Sequence, residues 1–414
     1  MITPSFNLTA TERVLPRLAL DFTTALLDNR VTITRALNTA TAVNSSGFVA
    51  GINANLPRFD YDPVAKTCRG LLIEELRANV CIQSGDIDNV AWSRAGVGVV
   101  GDTVTSPAGT TTGNTVTCSA GSSVHRVVST AGTVTNGAAV THSVFLKAGT
   151  HSFCQIHDGS TGTFYANFNL STGAVTAVNP ANGAAITSFG NGWYRCTLTI
   201  TAGTTTSIGA ICVIPDGTSV RNPTWTAIGT ESVYAWGYQV EVGAFATSYI
   251  PTTTTSLTRN ADDVSMTGTN FTSWYNQSAG TLVARFAPAV ANFGANRYPV
   301  AISAGASTNA FAIRMSSGAF LGYCLTAGVN QYFNSAGTAS AGVYAICGLS
   351  LDSTGGVFSA NGTLSTAVNT ATLPTVDRLA LGNFTGGAQG AYHIAKIWYY
   401  PQRLINPETQ AFTK

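Results

Sequence analysis

Residues 193–200 read WYRCTLTI, and the order of polar and apolar side chains in this stretch decides the fold class. Successive side chains of a β-strand point to opposite faces of the sheet, with a period of two residues. The alternate positions therefore form two sets, one mostly polar and one apolar: Trp193, Arg195, Thr197 and Thr199, and Tyr194, Cys196, Leu198 and Ile200. One apolar and one polar face is typical of an antiparallel strand that packs on a core.

The same alternation recurs along most of the chain. Runs bounded by Gly, Asp and Asn include VTHSVFLKAG, TFYANFNLSTG, TSIGAICVIPDG and SVYAWGYQVEVGAF before residue 250, and GTLVARFAP, AFAIRMSSG and AYHIAKIWYYP after residue 270. The chain holds 42 glycines, and only 10% of its residues are charged. These patterns predict an all-β protein, with an N-terminal β arm followed by two β-sandwich (jelly-roll) domains.

The predicted organisation has four parts. Residues 1–80 form the arm, in which RVTITRAL is a strand and NSSGFVAG turns into the second strand of a short hairpin. Residues 81–250 form the first sandwich, 251–269 a Thr-rich linker, and 270–414 the second sandwich. RGLLIEELRANV (69–80) fits either a helical turn or a short connector. INPETQAFTK predicts a closing helix with Asn406 as N-cap and Pro407 in its first turn.

Charge and composition exclude several classes of function. The net charge is +2 and the basic residues are scattered, so we expect no nucleic-acid binding. No run of 18 apolar residues occurs, so we expect no membrane insertion, and the N-terminus shows no signal-peptide pattern. The eight cysteines form no CxxC pair and lie in apolar strands, which predicts buried thiols and folding in a reducing cytoplasm.

The segment PRFDYDPVAKTCRGLLIEELRANV (57–80) concentrates four carboxylates: Asp60, Asp62, Glu74 and Glu75. Acids at this spacing could ligate calcium or perform acid–base chemistry. Asp60 and Asp62 could instead pair with Arg58 and Arg69 and hold a turn that ends at Pro63. We favour the second interpretation, in which the segment is scaffold.

This segment resembles the RFDYDP…RGLLIEE signature of bacteriophage tail-fibre and head-fibre virion proteins, with Ala78 where the usual form carries Thr. GNGWYRCTLTIT and SVYAWGYQVEVGAFATSYIPTTTTSLTRNADDVSM resemble the module that follows it there, which is similar to carbohydrate-binding jelly rolls. GVFSANG and HIAKIWYYPQRLINPETQAF resemble a concanavalin-like or laminin-G-like sandwich. The resemblance implies a virion protein made in the bacterial host cytoplasm, with other virion proteins as partners. The same resemblance implies a homo-oligomer, for example a trimer.

The candidate ligand-binding residues lie in RNPTWTAIG. Trp225 is a candidate surface ring for stacking on a sugar, beside the polar side chains of Arg221 and Asn222. Trp92 is a second candidate ring. The resemblance to carbohydrate-binding jelly rolls also implies a structural calcium at Asp86 and Asp88, although Asp is equally common in ordinary surface turns.

Enzymatic activity is not expected. A glycosidase usually needs two carboxylates, one on each side of the scissile bond. The last 145 residues contain only Asp352, Asp377 and Glu408, of which Glu408 is better explained by the start of a helix. In the middle block, His157 and Asp158 are neighbours on a predicted strand, so their side chains point to opposite faces and form no dyad.

Three functions remain in competition. The first is host adhesion by a surface-exposed fibre or spike that binds a cell-surface glycan. The second is decoration of a capsid or tail, mainly through protein–protein contacts. The third, a glycan depolymerase, is disfavoured by the small number of acids. The sequence does not choose between head and tail.

Overall fold

The computed structural model describes residues 15–159, 163–179, 183–305, 308–384 and 389–414. They form two compact units: Ile33–Asp262, and the residues up to Thr32 together with Asp263–Lys414. The predicted boundaries at residues 80 and 251–269 remain predictions. Residues 1–14 of the predicted arm lie outside the described residues.

Strands dominate the described residues. Up to residue 133 they are β1 (Leu18–Asp21), β2 (Thr32–Thr34), β3 (Ala40–Val43), β4 (Val49–Ile52), β5 (Phe59–Tyr61), β6 (Cys68–Ile73), β7 (Arg77–Asn79), β8 (Ser93–Ala95), β9 (Val97–Thr105), β10 (Thr111–Cys118), β11 (Gly121–Ser123), β12 (Arg126–Val128) and β13 (Gly132–Thr133). To residue 267 they continue as β14 (Ala139–Ala148), β15 (Phe153–Asp158), β16 (Tyr165–Asn169), β17 (Ala174–Asn179), β18 (Ala184–Gly190), β19 (Trp193–Thr201), β20 (Thr206–Ser207), β21 (Gly209–Val213), β22 (Trp225–Ala227), β23 (Ser232–Val242), β24 (Leu257–Arg259) and β25 (Asp263–Thr267).

The remaining elements complete the second unit. Its strands are β26 (Ala279–Pro288), β27 (Arg297–Ser303), β28 (Ala310–Ser316), β29 (Ala319–Thr326), β30 (Val329–Thr338), β31 (Ala345–Asp352), β32 (Gly355–Ala360), β33 (Thr363–Leu364), β34 (Arg378–Leu381) and β35 (Tyr392–Tyr400). The helices are α1 (Thr269–Thr272) and α2 (Asn406–Phe412), with a 3₁₀ turn at Phe22–Thr24.

The unit Ile33–Asp262 is a β-sandwich of two six-stranded antiparallel sheets. Sheet I has the order β18-β19-β14-β23-β10-β9, and sheet II has the order β17-β16-β15-β21-β12-β8. Fully buried apolar side chains from both sheets form one core cluster, for example Val144 and Leu198 of sheet I with Ile156, Phe168 and Ile211 of sheet II. The prediction of an all-β sandwich is therefore confirmed.

The strand that decided the fold class is β19. Cys196, Leu198 and Ile200 point into the core, as the alternation predicts. The opposite face of the strand is not simply polar, because Trp193 is only 2% exposed. It packs with the rings of Phe145, Trp236 and Tyr249 in a second apolar cluster on the outer side of sheet I.

A hairpin is present near the N-terminus. Its second strand, β4, follows the turn in NSSGFVAG as predicted, whereas its first strand is β3 and not RVTITRAL. β3 pairs with β4 through Ala40↔Ile52 and Val43↔Val49, and the side chain of Asn44 accepts hydrogen bonds from two backbone N–H groups of the turn. RVTITRAL contains β2 instead. RGLLIEELRANV forms β6 and β7, so the helical-turn alternative is wrong. The apolar side chains of its first half are needed in the interior, where Ile73 is fully buried.

The second unit is also a sandwich. One sheet contains β33-β32-β31-β26-β35 with β1 paired to β35, and the other contains β25-β34-β27-β28-β29-β30. The sheets face each other closely, with the rings of Phe286 and Phe320 5.6 Å apart. Gly322 allows this approach, because a Cβ there would lie 2.8 Å from Leu349.

The closing helix starts one residue earlier than predicted, with Ile405 and not Asn406 at the N-cap position. Glu408 is therefore the third helical residue. From this position its carboxylate accepts a hydrogen bond from the Ile405 backbone N–H at 3.0 Å. The eight cysteines are free thiols; seven are buried and Cys68 is half-buried, as predicted. Among the described residues, no helix has the length and apolarity needed to cross a membrane.

Candidate functional site

The acids of the 57–80 segment belong to a buried ionic network. The Arg58 guanidinium binds the carboxylates of Glu74, at 2.6 Å, and Asp262. Arg259 binds Glu74 at 2.8 Å, and Arg35 binds Asp262 at 2.7 Å. All five side chains are at most 5% exposed. Five buried charges are tolerated only because each one is paired and hydrogen-bonded.

The other acids of the segment also have structural partners. Asp60 accepts a hydrogen bond from the Val43 N–H at 2.7 Å. Asp62 pairs with Arg69 at 2.8 Å, and its other oxygen accepts from the N–H groups of Val64 and Ala65. The pairing predicted for Arg69 is found, whereas Arg58 turns to Glu74 and Asp262. These contacts identify the segment as scaffold.

Electrostatics in the network favour the ionised form of Glu74. Burial alone would raise the pKa of its carboxyl group. The charges of Arg259 and Arg58 and the hydrogen bonds from Ser248 and Arg58 outweigh burial and hold the pKa well below its ordinary value. Glu74 is therefore a permanent anion at neutral pH and has no proton to offer as a general acid.

The outer face of sheet II is polar. Val127, Ile156 and Ile211 are register neighbours and point into the core. The residues next to them in each strand therefore point outward. One outer row contains Gln155, Cys212 and Arg126 as successive partners, and the adjacent row contains Tyr165, His157 and Ala210.

The chain segment 214–224 crosses this outer face and is held there by two buried amides. Gln155 donates to the Val220 carbonyl at 3.0 Å and accepts from the Asn222 N–H at 2.7 Å. Asn167 donates to the carbonyls of Gly217 and Ser219 at 3.2 and 2.7 Å. The two amides also bond to each other at 2.7 Å. This arrangement positions both Arg221 and Asn222.

Arg221 lies over the end of β15. Its Nη2 donates to the Asp158 carbonyl at 2.7 Å and lies 3.3 Å from His157 Nδ1. The Asp158 carboxylate lies on the other face, where it accepts from the Ile208 N–H at 3.1 Å. His157 and Asp158 thus point to opposite faces, as predicted, and form no dyad.

His157 is fully buried and neutral. Burial lowers the pKa of its imidazole to about 3, and the charge of Arg221 adds to this decrease. A hydrogen bond to the backbone of Asp158 acts in the opposite direction and raises the pKa. Nε2 has no hydrogen-bond partner among the described residues. A buried polar atom without a partner costs about 1–3 kcal/mol.

Arg126 brings a second positive charge to the same face. Burial lowers the pKa of Arg221, and the charge of Arg126 lowers it further, whereas the charge of Asp158 acts in the opposite direction. Within the part of the chain that the structure describes, neither forms an ion pair. We call Arg126, His157 and Arg221 the cationic face. Arg126 was not among the predicted site residues, and His157 was considered only as a dyad partner of Asp158. The alternation in RVV and FCQIHD nevertheless places both opposite core residues.

Trp225 is half-buried at the end of β21. Its Nε1 donates to the Val213 carbonyl at 3.1 Å. His151 stacks on the ring with centroids 5.9 Å apart, and His125 contacts it edge-on at 4.9 Å. The ring is therefore only partly available for stacking on a ligand. Trp225 is the first residue of β22 and contacts the Val213 end of β21. Arg221 lies at the opposite end of the strand pair, where Asp158 is the register partner of Gly209.

The prediction of Trp92 as a surface ring for a ligand is wrong. It is 2% exposed, packs edge-on against Tyr238 in the core, and donates to the Gln83 carbonyl. Its large apolar area and satisfied N–H explain this burial.

The predicted calcium ligands lie close together. A hydrogen bond to the Asp88 carboxyl raises the pKa of Asp86, and burial adds to the increase. Asp86 also accepts from Asn89, and Asp88 accepts from the Gly101 N–H at 3.1 Å. In the described ranges, no three His, Cys, Asp or Glu side chains are grouped as a metal site. The calcium remains a prediction.

An aromatic surface on the second unit was not foreseen. Tyr323 pairs in register with Phe333, which is 42% exposed, and Arg314 lies over both rings at 5.4 and 5.0 Å. Tyr298 and Phe384 stack beside them at 4.4 Å. The sequence did not predict this surface, because the rings belong to separate strands and only the strand register brings them together.

A buried imidazole in the sandwich core predicts an acid-sensitive stability. His142 lies between Tyr238 Oη at 3.2 Å and Ser207 Oγ at 3.0 Å, and burial lowers its pKa to about 4. The unfolded chain binds this proton near pH 6.5, so stability is complete above pH 6.5 and falls as the pH drops towards 4. Between pH 7 and 4.5 the expected loss from His142 is about 2–3 kcal/mol.

The measurement is urea denaturation at both pH values. We expect His142→Gln to lose about 2–3 kcal/mol less than the wild type between them, whatever its stability at pH 7. Ser207→Ala removes a partner of the same imidazole but no titrating group, and should keep the wild-type pH difference. An equal pH difference in wild type and His142→Gln would contradict the assignment.

The sequence matches no protein-family model and no curated protein. Three similar solved structures are the CBM40 of a Ruminococcus gnavus IT-sialidase bound to α2,3-sialyllactose (18% identity), the NanB sialidase of Streptococcus pneumoniae (18%) and the receptor-binding domain of botulinum neurotoxin type G (5%). Each match covers 35–36% of this chain with a TM-score of 0.29. The matches span 88%, 26% and 39% of those chains, respectively. Likenesses of this size carry no argument about ligands, so function has to be inferred from the residues of this chain.

Proposed function

We propose that this chain is a non-catalytic structural protein of a bacteriophage virion, exposed on the particle, that binds a glycan of the host surface. The observation that carries the binding role is the cationic face. Among the described residues, the Nε groups of Arg126 and Arg221 and the Nε2 atom of His157 have no hydrogen-bond partner. Trp225 adds a half-buried ring at the other end of β21, where it donates to the Val213 carbonyl. Sugar sites combine such polar donors with aromatic surface.

The virion role rests on the resemblance of the 57–80 segment to phage fibre proteins. The structure is compatible with it, because the residues of that segment serve a buried network and not a reaction centre. A homo-oligomer and contacts with other virion proteins belong to the same proposal. Several copies would raise the avidity of a weak sugar site.

The absence of catalysis is supported by the three carboxylates of residues 270–414. Asp377 pairs with Arg378, and Asp352 lies 3.7 Å from Arg403. Glu408 is bound to the helix start at Ile405. Each acid has a structural role, which is unlike the pair of opposed, free carboxyl groups that glycoside hydrolysis requires.

The test is binding of the full chain to a glycan array, with release of reducing sugar measured on every glycan that binds. We expect binding without release. Arg126→Gln and Arg221→Gln should each weaken the signal at least tenfold, whereas Phe333→Ala, on the aromatic surface of the other unit, should not. If only Phe333→Ala abolished binding, the site would lie on the second unit and the proposal for the cationic face would fail. Sugar release would refute the non-catalytic role.

Location is tested separately by cryo-EM of intact particles. Density of this chain at a fibre or baseplate tip is the expected result. Density lying flat on a capsid or tube lattice would contradict adhesion as the primary role and would favour decoration.

A further inference from the structure

One side of the first sandwich is formed by a stretch of chain without charge. Residues 159–194 contain no Asp, Glu, Lys, Arg or His, although charged residues make up 10% of the chain. This stretch supplies β17, the last strand of sheet II, and β18, the last strand of sheet I. Residues 180–183 alone separate the two strands in sequence, and their Cα atoms come within 8 Å of each other. We call this side, with β17 and β18, the uncharged flank.

Both strands of the uncharged flank have an open edge. In the described part of the chain, β17 pairs with β16 and β18 pairs with β19, and neither has a second strand partner. The side chains of Ala185, Thr187 and Ser188 on β18 are small and exposed. An open edge presents a row of backbone N–H and C=O groups that can pair with another strand. The flank can therefore accept one further strand on each sheet.

The opposite side of the same sandwich is protected against such pairing. The edge strand β9 carries exposed Asp102, and the Gly101 N–H donates to the Asp88 carboxylate at 3.1 Å. The other edge strand, β8, is three residues long and carries exposed Arg94. Charged side chains and short edge strands prevent pairing with another chain. Within one sandwich, only the uncharged flank lacks this protection, which indicates that it is an interface.

The partner has to offer two strand edges at once. Facing sheets lie about 10 Å apart, so the two edges have to come from another sandwich. A second copy of this chain meets the requirement. A two-fold axis perpendicular to the sheets places β17 beside β17 of the second copy and β18 beside its β18, antiparallel in both cases. The protected edges on the opposite side prevent growth beyond two copies.

The extent of the flank is sufficient for a stable dimer. β17 has 6 residues and β18 has 7. Antiparallel neighbours alternate between pairs that exchange two hydrogen bonds and pairs that exchange none, so full pairing of both strands gives about a dozen bonds. Typical protein interfaces contain about ten. Because the stretch is uncharged, pairing desolvates no ion and brings no like charges together.

We propose that the uncharged flank is the dimer interface of this protein, in which β17 and β18 pair edge to edge with the same strands of a second copy. The inference rests on the proposed function in one respect, since it assigns a surface to the homo-oligomer. The interface uses the same patch on both copies and therefore generates a dimer and not a trimer.

The test is sedimentation velocity of the full chain from low to high micromolar concentration. We expect a reversible dimer. Ala185→Lys combined with Ser188→Lys places two charges on the pairing edge of β18 and should weaken dimerisation at least tenfold. Val100→Lys combined with Thr105→Lys places the same two charges on β9 and should leave the dimer unchanged.

Hydrogen exchange provides a second readout. The backbone amides of β17 and β18 should exchange more slowly at concentrations at which the dimer forms. The double lysine variant of β18 should lose this dependence on concentration and keep the protection of the core strand β14. Thermal melting of each variant shows whether lost association reflects lost folding.

The remaining outcomes separate this inference from the proposed function. A monomeric wild type, a trimer, or a dimer that the β18 variant does not weaken would overturn the interface. A monomer that binds on the glycan array would overturn the interface and leave glycan binding intact. An intact dimer that binds no glycan would support the interface and contradict the glycan role.

Discussion

The variant Asp262→Asn is expected to lose about 3–5 kcal/mol of folding free energy, the usual cost of breaking a buried ion pair from one side. Asp262 is the shared partner of Arg35 and Arg58, and its Oδ2 accepts from the Glu74 N–H at 2.9 Å. Asparagine keeps the shape but removes the charge. Glu74 would then be the remaining carboxylate for three buried guanidinium groups. The amide oxygen can replace only one carboxylate oxygen, so Arg58 loses one of its two hydrogen bonds to this side chain.

A matched control exists in the same unit. Asp62→Asn removes one charge from the Asp62–Arg69 pair, whose side chains are 29% and 35% exposed. An exposed pair of this kind contributes about 0–1 kcal/mol, and the asparagine can still accept from the turn N–H groups. Urea denaturation followed by tryptophan fluorescence measures both variants. Equal denaturation midpoints for Asp262→Asn and Asp62→Asn would show that the network is not needed for stability.

The second large effect is expected for Gln155→Leu, at about 2–4 kcal/mol, since each buried polar group left unpaired costs about 1–3 kcal/mol. Gln155 is 0% exposed and joins three partners: the Asn222 N–H, the Val220 carbonyl and the side chain of Asn167. Leucine fills a similar volume but makes none of these bonds. Segment 214–224 should therefore open, and the position of Arg221 should be lost with it.

Hydrogen exchange and glycan binding provide the decisive readouts. The Asn222 amide should exchange faster in Gln155→Leu, and binding on the glycan array should fall as it does in Arg221→Gln. Gln331→Leu is the matched control. The side chain of Gln331 is half-exposed and accepts a hydrogen bond from the Thr372 N–H. Its expected cost is below about 1 kcal/mol. Unchanged protection of Asn222 in Gln155→Leu would mean that other contacts hold the segment.

Local patterns predicted the regular core strands, although not β6 and β7. The alternation in WYRCTLTI correctly predicted that Leu198 and Ile200 face the core, because a strand has a fixed period of two residues. The same geometry predicted that His157 and Asp158 would separate. Low charge and abundant glycine correctly indicated an all-β chain. The closing helix was found to within one residue, because capping depends on neighbours in the sequence.

Tertiary structure decided which polar residues meet. Asp262 is separated from Arg35 by 227 positions, and Arg58 from Glu74 by 16, so no local pattern could predict that they form one network. The same holds for Trp92, whose burial depends on contacts with Tyr238. Arg126 and Arg221 become neighbours only because β12 pairs with β21 and segment 214–224 folds back over β15. Strand formation is governed by neighbours along the chain, whereas a site is governed by which strands pair and in which register.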